Sequence, residues 1–177
     1  DAPAVLGRER FDLVYTGNGA LCWLPDIDRW AGVVDDLLVP GGRLFVREGH
    51  PMLWAFDEAR TDVLTLGYPY FETPEPIDDE EPGTYVDTDV EFVHIRAMTW
   101  NHGLGETVTA LLARGVQVTG LVEHRSVPWE ALPGRMEGEQ VGVIIGNMKS
   151  GAIAQLSINW FTRSNAVYDG LWYELIH

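Results

Sequence analysis

Two histidines and one glutamate stand where acid–base chemistry could be done. Glu48 and His50 follow the apolar run Leu44-Phe45-Val46. They sit at and just beyond the end of an expected strand, the place where open α/β sheets bind ligands. His102 stands at the entry of a helical segment. Either histidine can serve as a general base near neutral pH, and either can equally be a hydrogen-bonded structural residue. Glu48 is the carboxylate candidate, as base or orienter. The other histidines are His94, His124 and His177, and no two of the five are spaced i, i+2 or i, i+4, which argues against a local metal site. The lone cysteine, Cys22, excludes an internal disulfide and reads most simply as a small buried hydrophobe. No GxSxG, HExxH or GxxxxGK[ST] string occurs. Gly17-x-Gly19 after an apolar run suggests a dinucleotide loop. However, Cys22 takes the place of the third glycine, and the helix begins about seven residues later. Glu48 also lies about 30 residues on, where that fingerprint has its acid about 20 on.

Aromatic residues are the second group. Trp54, Tyr68, Tyr70 and Phe71 cluster before an acidic stretch, and Trp100 precedes His102. Trp54, Tyr70, Phe71 and Trp100 are the candidates to line an apolar pocket for a flat organic substrate. Core or loop packing is the competing reading. Between 72 and 91 lie Glu72, Glu75, Asp78, Asp79, Glu80, Glu81, Asp87, Asp89 and Glu91 with no basic residue, interrupted by Pro74, Pro76 and Pro82. This stretch reads as a solvated loop or as a lid over a site.

Several elements must hold these residues. FDLVY, 11–15, is a short apolar strand stopped by Thr16-Gly17-Asn18-Gly19. Ile27, Trp30, Ala31, Val34, Leu37 and Leu38 fall on one helical face, with Asp26 as N-cap. Val39-Pro40-Gly41-Gly42 should end that helix and turn into the strand RLFVRE, giving a βαβ unit with parallel strands. Val90 to Trp100 reads as a strand. A helix opens at Gly103-Leu104-Gly105-Glu106, with Leu104, Val108, Leu111 and Leu112 inward and Gly115 as its stop. VQVTGLVEH, 116–124, is a further strand. VGVIIGNM and AIAQLSINWF flank Lys149-Ser150-Gly151 as a β-hairpin signal.

Composition narrows the function classes. The 177 residues carry a net charge of -15, with 46% hydrophobic and 22% charged residues. These are ordinary globular proportions. A chain so acidic, without a basic stripe, is not expected to bind nucleic acid or an anionic membrane surface. No apolar run reaches the roughly 18 residues of a membrane span. A reducing, cytoplasmic setting is the default expectation for a chain with one cysteine.

The string FDLVYTGNGALCWLPDIDRWAGVVDDLLVPGGRLFVREGHPML resembles the second half of a class I S-adenosylmethionine-dependent methyltransferase. WNHGLGETVTALLARGVQVTGLVEHRSVPW is similar to the later helix and strand of that family. The resemblance covers about 1–133, with 49–89 as a substrate-cover insertion. It implies an α/β fold: part of a Rossmann-like, mostly parallel sheet with helices on both faces, to which the tail adds an antiparallel hairpin. It implies S-adenosyl-L-methionine as cofactor and a small organic molecule as substrate. By the same resemblance, Thr16, Gly17, Asn18, Gly19 and Ala20 border the methionine part of the donor. Leu21, Cys22, Trp23 and Leu24 close around it, and Glu48 to His50 face the acceptor. The family's glycine-rich first loop and ribose-holding acid have no counterpart in these residues, so about half of a donor site is expected. Residues 134–177 form a tail in which SGAIAQLSINWFTR resembles the sheet of glucose-fructose oxidoreductase and inositol dehydrogenase-like enzymes. A non-catalytic fragment or interaction module of methyltransferase-derived fold, and a fragment of an NAD(P)-dependent sugar oxidoreductase, therefore stand as alternatives. With no neighbouring first strand, FDLVY would be a bare apolar edge. Self-association, a covering by the C-terminal hairpin, or poor solubility is the expected result.

Overall fold

The computed structural model describes residues 2–17, 19–60, 62–80, 92–124, 141–148 and 153–159, the last two segments and His124 as backbone. In chain order the elements are α1 (Ala2–Leu6), β1 (Phe11–Gly17), a 3₁₀ turn (Leu21–Trp23), α2 (Ile27–Leu37), β2 (Leu38–Gly49) and α3 (Pro51–Ala55). There follow β3 (Ile77–Glu80), β4 (Arg96–Thr99), α4 (Leu104–Ala113), β5 (Val116–His124), β6 (Val141–Met148) and β7 (Ile153–Asn159). The chain has mixed helix and strand content, with a parallel sheet that also carries an antiparallel strand.

β1 and β2 pair in parallel, with Val14 beside Leu44, Tyr15 beside Phe45 and Thr16 beside Val46. α2 connects them and is started by Asp26, whose side chain accepts from the Arg29 amide. The larger sheet has the order β1-β2-β7-β5-β6. β7 runs parallel to β2 and β5, and β6 runs antiparallel to β5 and β7. FDLVY, RLFVRE and VQVTGLVEH thus run parallel in one sheet, and the hairpin strands are antiparallel to each other. Lys149-Ser150-Gly151, Val90, Glu91, Trp160 and Phe161 lie outside the described residues.

Strict alternation sorts the side chains of β1 and β2 onto two faces. Val14, Leu44 and Val46 point to the core, where Trp30, Ala31 and Val34 of α2 meet Ala110 and Leu111 of α4, with Leu21 and Val116. Leu13, Tyr15 and Phe45 point the other way, and Tyr15 stacks on Phe45 with ring centres 5.4 Å apart. α2 and α4 touch each other and both pack on the strands. Of the helices, α2 and α4 meet on the core side of these strands.

Some expectations are corrected by local geometry. Pro40-Gly41-Gly42 lies inside the span of β2, not before it. The register jumps from Phe11–Leu38 to Leu13–Arg43, so 39–42 bulge out of the ladder. Gly41 has φ +86°, and a Cβ on Gly42 would stand 2.9 Å from the Val39 carbonyl and 3.0 Å from that of Phe11. Only glycine fits there. The Val90–Trp100 strand shrinks to β4, and the acidic stretch, read as irregular, supplies its partner β3. Arg96 holds Asp78 with two bonds of 2.7 and 2.6 Å, which offsets charge across that ladder. On α4, Leu112 is 52% exposed, and Thr107 and Ala110 are buried in its stead. Thr107 can be buried because its hydroxyl donates to the Gly103 carbonyl. The short helices α1 and α3 add to the elements expected from periodicity. Hairpin strand β7 pairs with β2 on the side away from β1, so the hairpin does not cover the β1 edge.

Leu111 is fully buried where α2, α4 and the sheet meet. Leu111→Ala should lower the unfolding free energy by about 2–5 kcal/mol, because it deletes packed methyl groups and leaves a void. Urea unfolding followed by tryptophan fluorescence measures it, and a change near zero would show that α4 does not share this core.

Candidate functional site

The site forms where β1 and β2 end. The chain leaves β1 at Gly17 and must return to start α2 at Ile27. Gly19, with φ +80°, lets the loop reverse. The reversal aims three amides at the Glu48 carboxylate from the end of β2. Gly19 N donates to Oε2 at 2.7 Å, and Ala20 N and Leu21 N donate to Oε1 at 2.9 and 3.2 Å. Glu48 is buried. Burial pushes its carboxyl above the usual range, and the backbone amides pull part of that back.

The other side of the loop is held by the segment that joins β4 to α4. The Cys22 carbonyl accepts from Trp100 N at 2.8 Å. The Leu24 carbonyl accepts from His102 Nε2 at 2.8 Å. His102 Nδ1 lies 2.9 Å from Glu72 Oε2, out of line for a good hydrogen bond. Both ring nitrogens thus face oxygen. That same Glu72 oxygen accepts from the Ile27 amide at 2.8 Å, capping α2. Glu106 Oε2 accepts from Gly103 N at 2.7 Å and Glu72 N at 3.0 Å. Asn101, also buried, donates to the carbonyls of Pro51 and Pro69 at 2.8 and 2.9 Å.

A cleft of about 30 Å³ lies between these walls, lined by Leu21, Cys22, Glu48, Gly49, Pro51, Trp54, Trp100, Asn101, His102, Leu104 and Thr107. That volume holds a few waters, so an organic ligand enters only if a wall moves. Gly49 packs under the indole of Trp54, with a Cβ there only 2.7 Å from Cζ2. Trp100 Nε1 is buried and finds no acceptor among the described residues.

The candidates therefore divide. Glu48, His102, Trp54, Trp100, Leu21 and Cys22 meet at the cleft. Thr16 turns inward and receives Trp30 Nε1 at 3.4 Å. Trp23 points to solvent, and Asn18 lies outside the described residues. Tyr70 and Phe71 stand beside the start of α4, edge to face, with the Tyr70 hydroxyl accepting from Leu104 N at 3.1 Å. His50 is buried as the N-cap of α3. Its Nδ1 accepts from Met52 N at 3.1 Å, and Nε2 is 3.5 Å from Glu123. Burial lowers its pKa to about 4. The Cys22 thiol, partly buried near the Glu48 charge, rises to about 11.

Asn101, Glu72 and Glu106 belong to the site without having been candidates from sequence. Glu106 has a signal, an acid three residues past a helix start. Glu72 has none, because its acidic neighbours make it look solvated. Comparison of the chain with family models, with curated proteins and with solved structures finds no match. Among the described residues no group of three or more metal-ligating side chains comes together, and no helix is long and apolar enough to cross a membrane.

Glu48→Gln should destabilise the fold by about 1–3 kcal/mol, because its amide group turns donors toward donors. Hydrogen exchange should quicken at Gly19, Ala20 and Leu21, and unchanged protection there would dismiss the clamp. His50 gives a pH test. Its folded pKa of about 4 lies below the ordinary 6.5. Its contribution is therefore full above 6.5 and is lost as pH falls through 4, by at most about 3 kcal/mol. Glu48, shifted upward, contributes with the opposite sign, its share being lost as pH rises through its folded pKa. Comparison with His50→Asn, which keeps a cap acceptor, isolates the histidine. Wild type should lose more stability than the variant between pH 6.5 and 4, and parallel curves would refute the assignment.

Proposed function

We propose that this chain forms the acceptor side of an S-adenosylmethionine-dependent methyltransferase acting on a small organic molecule. One observation carries the reading: the loop after β1 is drawn back by Glu48 onto the end of β2 and borders a cleft with aromatic walls, at the carboxyl rim of parallel strands.

The fit to the donor is partial. A Cβ placed on Gly19 would meet no atom within 4 Å, so a ligand can approach that backbone closely, and Trp54 and Trp100 offer flat apolar walls. These suit the sulfonium end of the donor. When bound, the donor supplies a methyl group made electrophilic by positive sulfur. The chain's residues then act by placement. Glu48 and His102 are positioning residues, since the first holds loop amides and the second holds the Leu24 carbonyl. Rate enhancement of this kind comes from aligning an acceptor in line with the methyl group, the sulfur leaving with the electron pair of the broken S–C bond.

The second reading, a non-catalytic module of the same fold, draws support from the small cleft and from the structural bonds that occupy Glu48 and His102. Calorimetric titration of the chain with S-adenosylhomocysteine and with NAD separates the readings. Methyl transfer expects saturable binding of S-adenosylhomocysteine below the millimolar range and none of NAD. Absence of both heats supports the non-catalytic module, and binding of NAD alone supports the sugar oxidoreductase.

A further inference from the structure

Most polar side chains around the cleft are already spent. The Glu48 carboxylate accepts from three loop amides. The Cys22 thiol donates to the Gly19 carbonyl, the Thr107 hydroxyl to the Gly103 carbonyl, and the Asn101 amide to two carbonyls. His102 turns one ring nitrogen to the Leu24 carbonyl and the other to Glu72. Trp100 differs. Its Nε1–H is buried, and no group among the described residues accepts from it. An indole N–H can only donate, and a buried one normally has an acceptor. Left bare, it carries the full penalty of its removal from water.

We infer that the cleft binds an uncharged ring compound through an oxygen atom, which accepts from Trp100 Nε1. The rest of the lining sets that class. Leu21, Pro51 and Leu104 are apolar, and Trp54 and Trp100 are flat. Glu48 is the one carboxylate of the lining, and no lysine or arginine stands there to balance an anion. An anionic ligand would meet the Glu48 charge where water screens it poorly. A cation has no lone pair for the indole hydrogen. A phenol, an ether or a ketone meets both conditions. Room comes from Trp54. At 36% it is the most exposed residue of the lining, while Leu53 and Ala55 on either side of it are fully buried. The backbone of α3 is therefore pinned, and the indole is the part that turns aside. Binding of this kind stands without the methyl-transfer reading. Only the step that makes a phenol-like hydroxyl compound the substrate rests on that reading.

NMR titration of the full chain, with its tryptophan indoles isotope-labelled, tests the inference with phenol, toluene and benzoate as probes. Phenol should move the Trp100 Nε1–H signal downfield and saturably, and the Trp54 signal should move with it. The Trp30 signal should stay, because that N–H is held by Thr16. Toluene has no acceptor and should not draw the Trp100 signal downfield, and benzoate should not bind. Trp100→Phe keeps a flat wall and deletes the donor, and thermal unfolding checks that it folds. It should weaken phenol by about tenfold and toluene hardly at all. A Trp100 signal that phenol leaves in place, a phenol affinity indifferent to Trp100→Phe, or preferred binding of benzoate would overturn the inference. Should the variant fail to fold, the wild-type signals decide alone. The two readings fail separately. A chain that shows these shifts but no heat with S-adenosylhomocysteine loses methyl transfer and keeps the phenol site, and the reverse outcome loses the phenol site alone.

Discussion

A single buried carboxylate organises the rim of the sheet. Glu48 collects the amides of Gly19, Ala20 and Leu21, which would otherwise be left without acceptors as the loop turns away from β1. Orphaned amides in a buried loop cost of the order of 1–3 kcal/mol each, so the arrangement is over-determined from the amide side. From the carboxylate side the balance is closer, because burial opposes the charge that the amides favour. The loop is held, and the carboxylate is tolerated, only while both are in place. The 3₁₀ turn, the Cys22 and Leu24 carbonyls, and the contacts those carbonyls make with Trp100 and His102 all follow from that reversal.

The same use of carboxylates recurs around it. Glu72 caps α2 and touches His102; Glu106 caps α4 and holds Glu72; Asp26 caps α2 from within the chain. Acids at helix starts meet free amides and the positive end of the helix dipole. Part of the strong negative charge therefore does structural duty. The strap at Pro69–Glu72 is tied down at three points: the Pro69 carbonyl accepts from the Asn101 side chain, the Tyr70 hydroxyl accepts from the Leu104 amide, and the Glu72 amide donates to the Glu106 carboxylate. It is a wall fastened at several points over the start of two helices.

How much of this is legible in advance depends on whether the cause is local. The β1–α2–β2 unit, the Asp26 cap, β5 and the hairpin strands follow from periodicity and stop signals within short windows, and they are found. The site is half readable. Glu48, His102, Trp54 and Trp100 stand out from their places at element ends, and they do line one cleft. Their partners are not readable, because Glu72 and Asn101 act across 30 to 50 residues of chain, and nothing near them in sequence marks the contact. The expectation of helices on both faces comes from the resemblance, not from a pattern in these residues. The β3–β4 ribbon is hidden because acidic side chains disfavour strands, and Arg96 changes that balance only once the two segments meet.

Cys22 shows what the clamp does to its surroundings. With the thiol raised to about 11 by burial and by the nearby Glu48 charge, and its hydrogen donated to the Gly19 carbonyl at 3.2 Å, very little thiolate exists at neutral pH. Alkylating and oxidising reagents attack the thiolate. The native sulfur should thus stay silent under mild maleimide labelling, which leaves a cysteine placed on the surface of this protein as the one that takes the dye or spin probe.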